Sequence, residues 1–222
     1  MLETRFPRIP GDVGTADTWP FPVHYAVVEG ASATGAVEGD ARMLLPGFIE
    51  AGRRLVALGC SGIVTSCGFL VLVQDDLRAA LGVPVATSAL LQVPMVQALL
   101  PPDRRVGILT ISATSLGPAH LAAAGITGQP PVQGMEGTAF ADTILRDREL
   151  LDVPRAREAL VHAAEALRAR TPDLGALVLE CTNMSPYAPD IARATGLPVY
   201  SAVSLVRWFQ SGLHPPAFPD QR

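Results

Sequence analysis

Two cysteines in matching settings are the residues of this chain best suited to chemistry. Cys67 ends the run Gly62-Ile63-Val64-Thr65-Ser66, and Cys181 ends the run Leu177-Val178-Leu179-Glu180, 114 residues further on. The same spacing of 114 relates Asp76 to Asp190, Ala80 to Ala194, Gly82 to Gly196, Pro84 to Pro198 and Val85 to Val199. One offset across so many pairs indicates an internal duplication that sets two thiols in equivalent places. A thiol acts as a base only as the thiolate. A helix N-terminus, where free amides point outward, lowers its pKa from an ordinary ~8.5. Two such thiols would titrate as a coupled pair and could face a bound molecule from opposite sides. A single cysteine at a strand end is more often a small core side chain than a base. Duplication beside polar neighbours is what lifts this pair above that reading. Cys60 has Leu174 at its duplicated position and is left as structural. Asn183, the only asparagine in the chain, follows Cys181 and Thr182 directly and points to a specific amide hydrogen bond.

The rest of the composition narrows the chemistry. All 17 positive residues are arginine, so neither a lysine Schiff base to pyridoxal phosphate nor a Walker-type phosphate loop can be built. No G-x-G-x-x-G follows a strand and no G-x-S-x-G elbow occurs. The four histidines are scattered without metal-ligand spacing, and the three cysteines form neither a CxxC pair nor an even disulfide set. No metal and no cofactor are expected. A net charge of −4 without a basic cluster argues against nucleic acid or an anionic membrane as partner. No run reaches the ~18 apolar residues of a membrane span and the N-terminus is not a signal peptide, so a cytoplasmic protein is expected. At 222 residues and 49% apolar content the chain can bury one large core or two small ones.

The elements that must position the thiols alternate in type. Residues 5–22 are rich in Pro, Gly, Asp and Thr and read as an irregular loop, long enough to line a site, with a mobile terminus as the alternative. A short strand is expected over 23–29, a helix over 38–58 interrupted at Pro46-Gly47, a strand over 63–66, a helix over 69–81 closed by Gly82, a strand over 83–86 and a helix over 90–100. The pattern then restarts, with a strand over 105–110, a helix ending near Ala124 and a long helix capped by Asp152 ahead of Pro154. A strand over 176–180, a helix over 188–195, a strand over 197–200 and a helix over 203–210 repeat the first half. The prolines from 215 onward cannot continue a helix. Short apolar strands without a period of two, alternating with helices, indicate parallel sheets covered on both faces. The predicted architecture is α/β, with two pseudo-symmetric flavodoxin-like lobes: 1–101 closed by 205–222, and 102–204. Their cleft would lie at the carboxyl ends of the strands, where ligands bind in such folds.

The motifs Thr65-Ser66-Cys67-Gly68 and Glu180-Cys181-Thr182-Asn183, on duplicated α/β lobes, resemble the aspartate/glutamate/hydantoin racemase superfamily. The stretch Arg5-Phe6-Pro7-Arg8-Ile9-Pro10-Gly11-Asp12-Val13-Gly14 looks like a branch named only as Asp/Glu racemase family proteins. The resemblance covers almost the whole chain. It implies a cofactor-independent mechanism in which one cysteine removes the Cα proton of a small carboxylic acid and the other delivers a proton to the opposite face. Relatives in the superfamily include arylmalonate decarboxylase and maleate cis-trans isomerase. On this reading Cys67 and Cys181 are catalytic. Ser66, Gly68, Phe69, Thr182, Asn183, Pro10, Gly11, Asp12 and Ser112 are the candidate substrate-binding residues, and a homodimer is the expected assembly.

Two departures stand out. Amino-acid racemases of this kind carry Asn-Thr after the first cysteine, whereas Gly68-Phe69 stand here, which argues against aspartate or glutamate as substrate. The first strand of lobe one is also nearly missing, since nothing at Met1-Leu2-Glu3-Thr4 matches Val106-Gly107-Ile108-Leu109-Thr110; either the start is truncated or that strand is short. The polar pair Thr182-Asn183 is expected to hold a substrate carboxylate, with Gly68-Phe69 as an apolar wall and Cys181 as the firmer catalytic residue. A racemase acting on an amino acid or hydantoin leads. A single-cysteine decarboxylase or cis-trans isomerase of a dicarboxylic acid, and a non-catalytic carboxylate binder, are the other readings.

Overall fold

The computed structural model describes residues 1–217. In chain order the helices and strands are α1 (Ala33–Val37), α2 (Leu45–Ala57), β1 (Ile63–Val64), α3 (Gln74–Leu81), β2 (Val85–Ala86), α4 (Val93–Leu99) and β3 (Arg105–Thr110). These are followed by α5 (Pro118–Ala123), β4 (Val132–Gly134), α6 (Ala139–Leu145), α7 (Val153–Arg170), β5 (Leu174–Leu179), α8 (Ala188–Thr195), β6 (Val199–Tyr200) and α9 (Ala202–Leu213). All strand pairing is parallel. β1 pairs with β2, and the second sheet runs β4-β3-β5-β6. The chain is an α/β protein of two lobes. Among the described residues no helix is long and apolar enough to cross a membrane.

The duplication holds at the level of hydrogen bonds. Ile63 pairs with Val85 as Leu177 pairs with Val199, and the amides of Ile63 and Leu177 donate to the carbonyls of Pro84 and Pro198 at 3.0 and 2.9 Å. After each cysteine the chain enters a 3-10 turn, Gly68–Val73 or Thr182–Tyr187, that tightens into α3 or α8. Both helices end on a glycine in the left-handed region, Gly82 at φ 67° and Gly196 at φ 66°, which a Cβ would strain. The core runs beneath both cysteine turns. Phe69, Leu70, Ile108, Leu109 and residues 177–179 are fully buried, which is why β3 and β5 read as unbroken apolar runs.

The elements depart from expectation in physically legible ways. The helix expected over 38–58 begins as a 3-10 turn, Ala41–Leu44, and restarts as α2 with Pro46 in its first turn. Proline starts this helix rather than kinking it, because the first turn needs no amide donor. Asp152 caps α7 by accepting the Arg155 amide at 3.0 Å, as its position predicts. β4 and α6 were not foreseen; each is short, and 132–134 carries a glutamine and a glycine in three residues. The strand expected over 23–29 forms only an isolated bridge between Leu2 and Val28. A ladder needs a partner, and a cleft of about 450 Å³ lies against both 23–26 and β1. Prolines 215 and 216 follow α9 without helix, while Pro219 lies outside the described residues.

Candidate active site

Each thiol sits where a central strand gives way to a 3-10 turn. Cys67 and Cys181 are both buried and line one small pocket of about 20 Å³ together with Ser66, Gly68, Phe69, Glu180, Thr182 and Asn183. Leu2 and Phe6 close it from the N-terminal segment, and Ile111 and Ile144 close it from the second lobe. Seven of the candidate residues therefore meet at one place. A small organic acid is larger than this cavity, so binding must move part of its wall. The N-terminal segment is tied across that wall by the Arg5 and Phe6 amides, which donate to Asp147 Oδ1 at 2.6 and 3.2 Å. The Arg5 guanidinium also reaches Asp147 and Glu149.

The remaining candidates fall elsewhere. Ser112 lines a separate polar depression with Thr114, Ser115 and Glu136, and does not face the thiols. Pro10 and Gly11 also stay outside the cavity. Gly11, at φ 96°, is packed so close to Pro186 that a Cβ would lie 3.0 Å from its Cα. Asp12 reaches the site through Asn183, whose amide nitrogen donates to Asp12 Oδ2 at 2.6 Å. That bond turns the amide oxygen toward Cys181, whose thiol donates to Asn183 Oδ1 at 3.6 Å. Thr182 Oγ1 donates to the Ser66 carbonyl at 2.8 Å and joins the two motifs. The side chains expected to hold a carboxylate are thus committed to the protein, because each is buried and must find a partner there. The loop at 5–22 is irregular, as expected, but ordered. Arg8 forms a buried ion pair with Asp12 at 2.8 Å, and the Gly14 amide donates to Asp12 Oδ1 at 2.7 Å.

Glu180 is the site residue that sequence reasoning passed over, although it stood in the quoted motif. Its carboxylate is fully buried between the two motifs, accepting from Thr110 Oγ1 at 2.9 Å and from the Ile111 amide at 3.4 Å. It also explains Gly68: a Cβ there would lie 2.2 Å from Glu180 Oε1 and 2.5 Å from the Glu180 carbonyl oxygen. No residue with a Cβ, asparagine included, has room at 68 beside this carboxylate. The signal was available as a buried acid at the end of an apolar strand, a place where acids are rarely tolerated without a task.

The electrostatics overturn the expectation of acidified thiols. Burial pushes Cys67 up to about 12, and the Glu180 charge adds to it, outweighing the amides of Phe69 and Leu70 that favour its thiolate. Cys181 is likewise pushed well above the ordinary thiol range, by burial first and then by Glu180, with only the Asn183 backbone amide prominent against it. Helix-terminal amides are present as predicted, but desolvation in a closed cavity exceeds them. Burial likewise lifts Glu180 from an ordinary 4.5 to about 7, with Thr110 and Ile111 pulling against it. Between those values the folded chain keeps a proton that the unfolded chain has released, so stability falls as pH rises from about 4.5 to about 7. Ionised Glu180 thus costs about 3 kcal/mol above pH 7. Glu180→Gln is expected to gain up to that amount at pH 8 and progressively less as pH falls toward 4.5. Urea denaturation midpoints across pH measure it.

The geometry can be set beside known proteins. Residues 31–208 match the model of the Asp/Glu/Hydantoin racemase family. The chain is 30% identical to a dimethylsulfoniopropionate lyase of Durusdinium sp. clade D, over 95% of this chain and 72% of that protein. It is 31% identical to dimethylsulfoniopropionate lyase 5 of Emiliania huxleyi, covering 95% of this chain but 44% of that one. Among solved structures, a glycine-to-cysteine mutant of arylmalonate decarboxylase in a sulfate-ion-associated form superposes with a TM-score of 0.65 at 19% identity, covering 99% of this chain and 94% of that one. Allantoin racemase from Pseudomonas fluorescens superposes at 0.57 with 19% identity, covering 78% and 70%. The family model covers most of the chain, and the chain belongs to the Asp/Glu/hydantoin racemase family.

Proposed function

We propose that this protein is a cofactor-independent lyase that removes the Cα proton of a small carboxylic acid and expels a leaving group from Cβ. Dimethylsulfoniopropionate is the first candidate substrate. The observation that carries this is the small pocket that Cys67, Cys181 and the buried acid Glu180 line together. Three ionisable groups buried side by side hold far less negative charge than they would in water. Moving a proton from a thiol to ionised Glu180 makes a thiolate without adding charge, so the pair titrates as a unit. Cys67 is the better base, since the Phe69 and Leu70 amides at the start of its turn favour a thiolate, whereas the Cys181 thiol is held as a donor to Asn183 Oδ1. The Cys67 thiolate would take the Cα proton, that electron pair would become the Cα–Cβ double bond, and the Cβ–S bond would break. Dimethyl sulfide leaves, acrylate remains, and the proton passes through Glu180 to solvent. The Cys181 thiol and the Asn183 backbone amide would face the charge that develops on the substrate carboxylate.

Similarity to two dimethylsulfoniopropionate lyases favours elimination over racemisation. The paired thiols favour the second reading, racemisation, in which Cys181 returns a proton to the opposite face. Both readings begin with the same proton abstraction. Purified protein incubated with dimethylsulfoniopropionate in D2O is expected to release dimethyl sulfide and acrylate in equal amounts. Absence of both, alongside Cα deuterium exchange into hydantoins or amino acids, would replace the lyase with a racemase.

A further inference from the structure

Besides the two cysteine motifs, the thiol pocket is lined by Leu2, Phe6, Ala33, Val37, Ile111 and Ile144. Five of these sit on fixed parts of the fold. Ile111 follows β3 directly and Ile144 lies in α6. Ala33 and Val37 belong to α1, which is braced to the end of α6 by Thr34 Oγ1 donating to the Leu145 carbonyl and by the Arg146–Glu38 ion pair at 3.3 Å. The Leu2 amide donates to Ser66 Oγ at 3.2 Å, and the Glu3 amide to the Ala31 carbonyl at 2.8 Å.

Phe6 is held differently. Glu3 anchors the chain before it, and the buried Arg8–Asp12 pair anchors the chain after it. Between these anchors the hydrogen bonds of Arg5 and Phe6 all run to Asp147 and Glu149, with Asp147 Oδ1 accepting both backbone amides. The Arg5 side chain is 68% exposed, so water can replace its ion pairs at little cost. Asp147 is also, among the described residues, the one non-glycine residue at a positive φ, 51°. A side chain kept in that disfavoured conformation points to a task for its carboxylate.

We propose that Phe6 is the gate of the thiol pocket and Asp147 its latch. Release of the two amides lets residues 5–7 swing out between their anchors and admits a small carboxylic acid to Cys67 and Cys181. The gate rests on the reading of the thiol pocket as the place where the acid reacts, whereas its opening can be followed without substrate.

Iodoacetamide labelling of the whole chain at pH 8, resolved by peptide mass, follows that opening. With the pocket closed, burial keeps both thiols protonated, so their labelling reports the open form. Cys60, half-buried in the separate 450 Å³ cleft, is the internal reference. Asp147→Gly suits the positive φ and removes the latch, and is expected to label Cys67 and Cys181 about tenfold faster with Cys60 unchanged. Asp147→Asn keeps an acceptor and tolerates the same φ, so its rates should stay within about threefold of the parent chain. Phe6→Ala should speed up the same two thiols with the latch intact. Unchanged labelling of Cys67 and Cys181 in Asp147→Gly would overturn the gate. An equal rise at all three cysteines, the mark of general loosening, would overturn it too. Asp147→Asn labelling as fast as Asp147→Gly would show that the amide bonds are not the latch. Turnover of dimethylsulfoniopropionate by the parent chain, present or absent, leaves each of these readouts standing.

Discussion

Cys67→Ser is expected to lower elimination by about 10²–10⁴-fold and to abolish Cα deuterium exchange with it. Serine keeps the shape of the thiol but not its acidity, so no base forms even with Glu180 ready to accept the proton. Cys181→Ser should behave differently. In the lyase reading Cys181 acts as a neutral donor, and a hydroxyl still donates; the loss should be smaller, and exchange should persist in D2O. Proton NMR following dimethyl sulfide, acrylate and residual Cα–H in the same tube separates the two effects. Equal loss of exchange in both variants would favour two-base chemistry. Exchange retained in Cys67→Ser would reverse the assignment of the base. This asymmetry rests on the surroundings of each sulfur: the Phe69 and Leu70 amides favour a Cys67 thiolate, whereas at Cys181 the Asn183 backbone amide alone does so and the thiol donates to Asn183 Oδ1. Sequence comparison alone pointed the other way, because Thr182-Asn183 looked like the polar, substrate-holding side.

The sequence made the repeated parts legible and the unrepeated parts obscure. α8 spans the residues predicted for it as the repeat of the first half, and β3 lies at its expected place as a short apolar run. The offset of 114 carried over to strand register and to both 3-10 turns, so the meeting of the two thiols could be read before any coordinates. Their ionisation could not. It depends on how completely the pocket is covered, and Leu2 and Phe6 do that from an N-terminal segment with no period. Glu180 was misjudged for a related reason: its place in the motif was visible, but its reach across to Gly68 depends on packing between segments more than 100 residues apart. The strand expected over 23–29 failed because a strand is a relation between two segments, and sequence shows only one at a time.

Arg8→Ala is expected to cost about 3–5 kcal/mol of stability, a large loss for a loop substitution. Arg8 and Asp12 are both nearly sealed from water, with side chains 12% and 3% exposed. The guanidinium donates to Asp12 Oδ1 and to Thr4 Oγ1 at 3.0 Å, and lies over the Phe6 ring at 4.9 Å. Removing it leaves a buried carboxylate with only the Gly14 amide and Asn183 as donors. Asp12→Asn removes the charge but cannot satisfy both sides, since its amide has one acceptor where the carboxylate served Arg8, Gly14 and Asn183 together. The double variant should therefore be less damaged than the two single losses added, with a coupling of about 0.5–3 kcal/mol in urea denaturation. Additive losses would mean the pair is screened and the loop held by its backbone bonds alone. The consequence for catalysis follows the same chain of atoms. Asp12 orients Asn183, and Asn183 holds the Cys181 thiol, so Asp12→Asn should reduce turnover even where the fold survives. A negative charge in an aperiodic loop is then a positioning residue for a thiol 169 residues away in sequence.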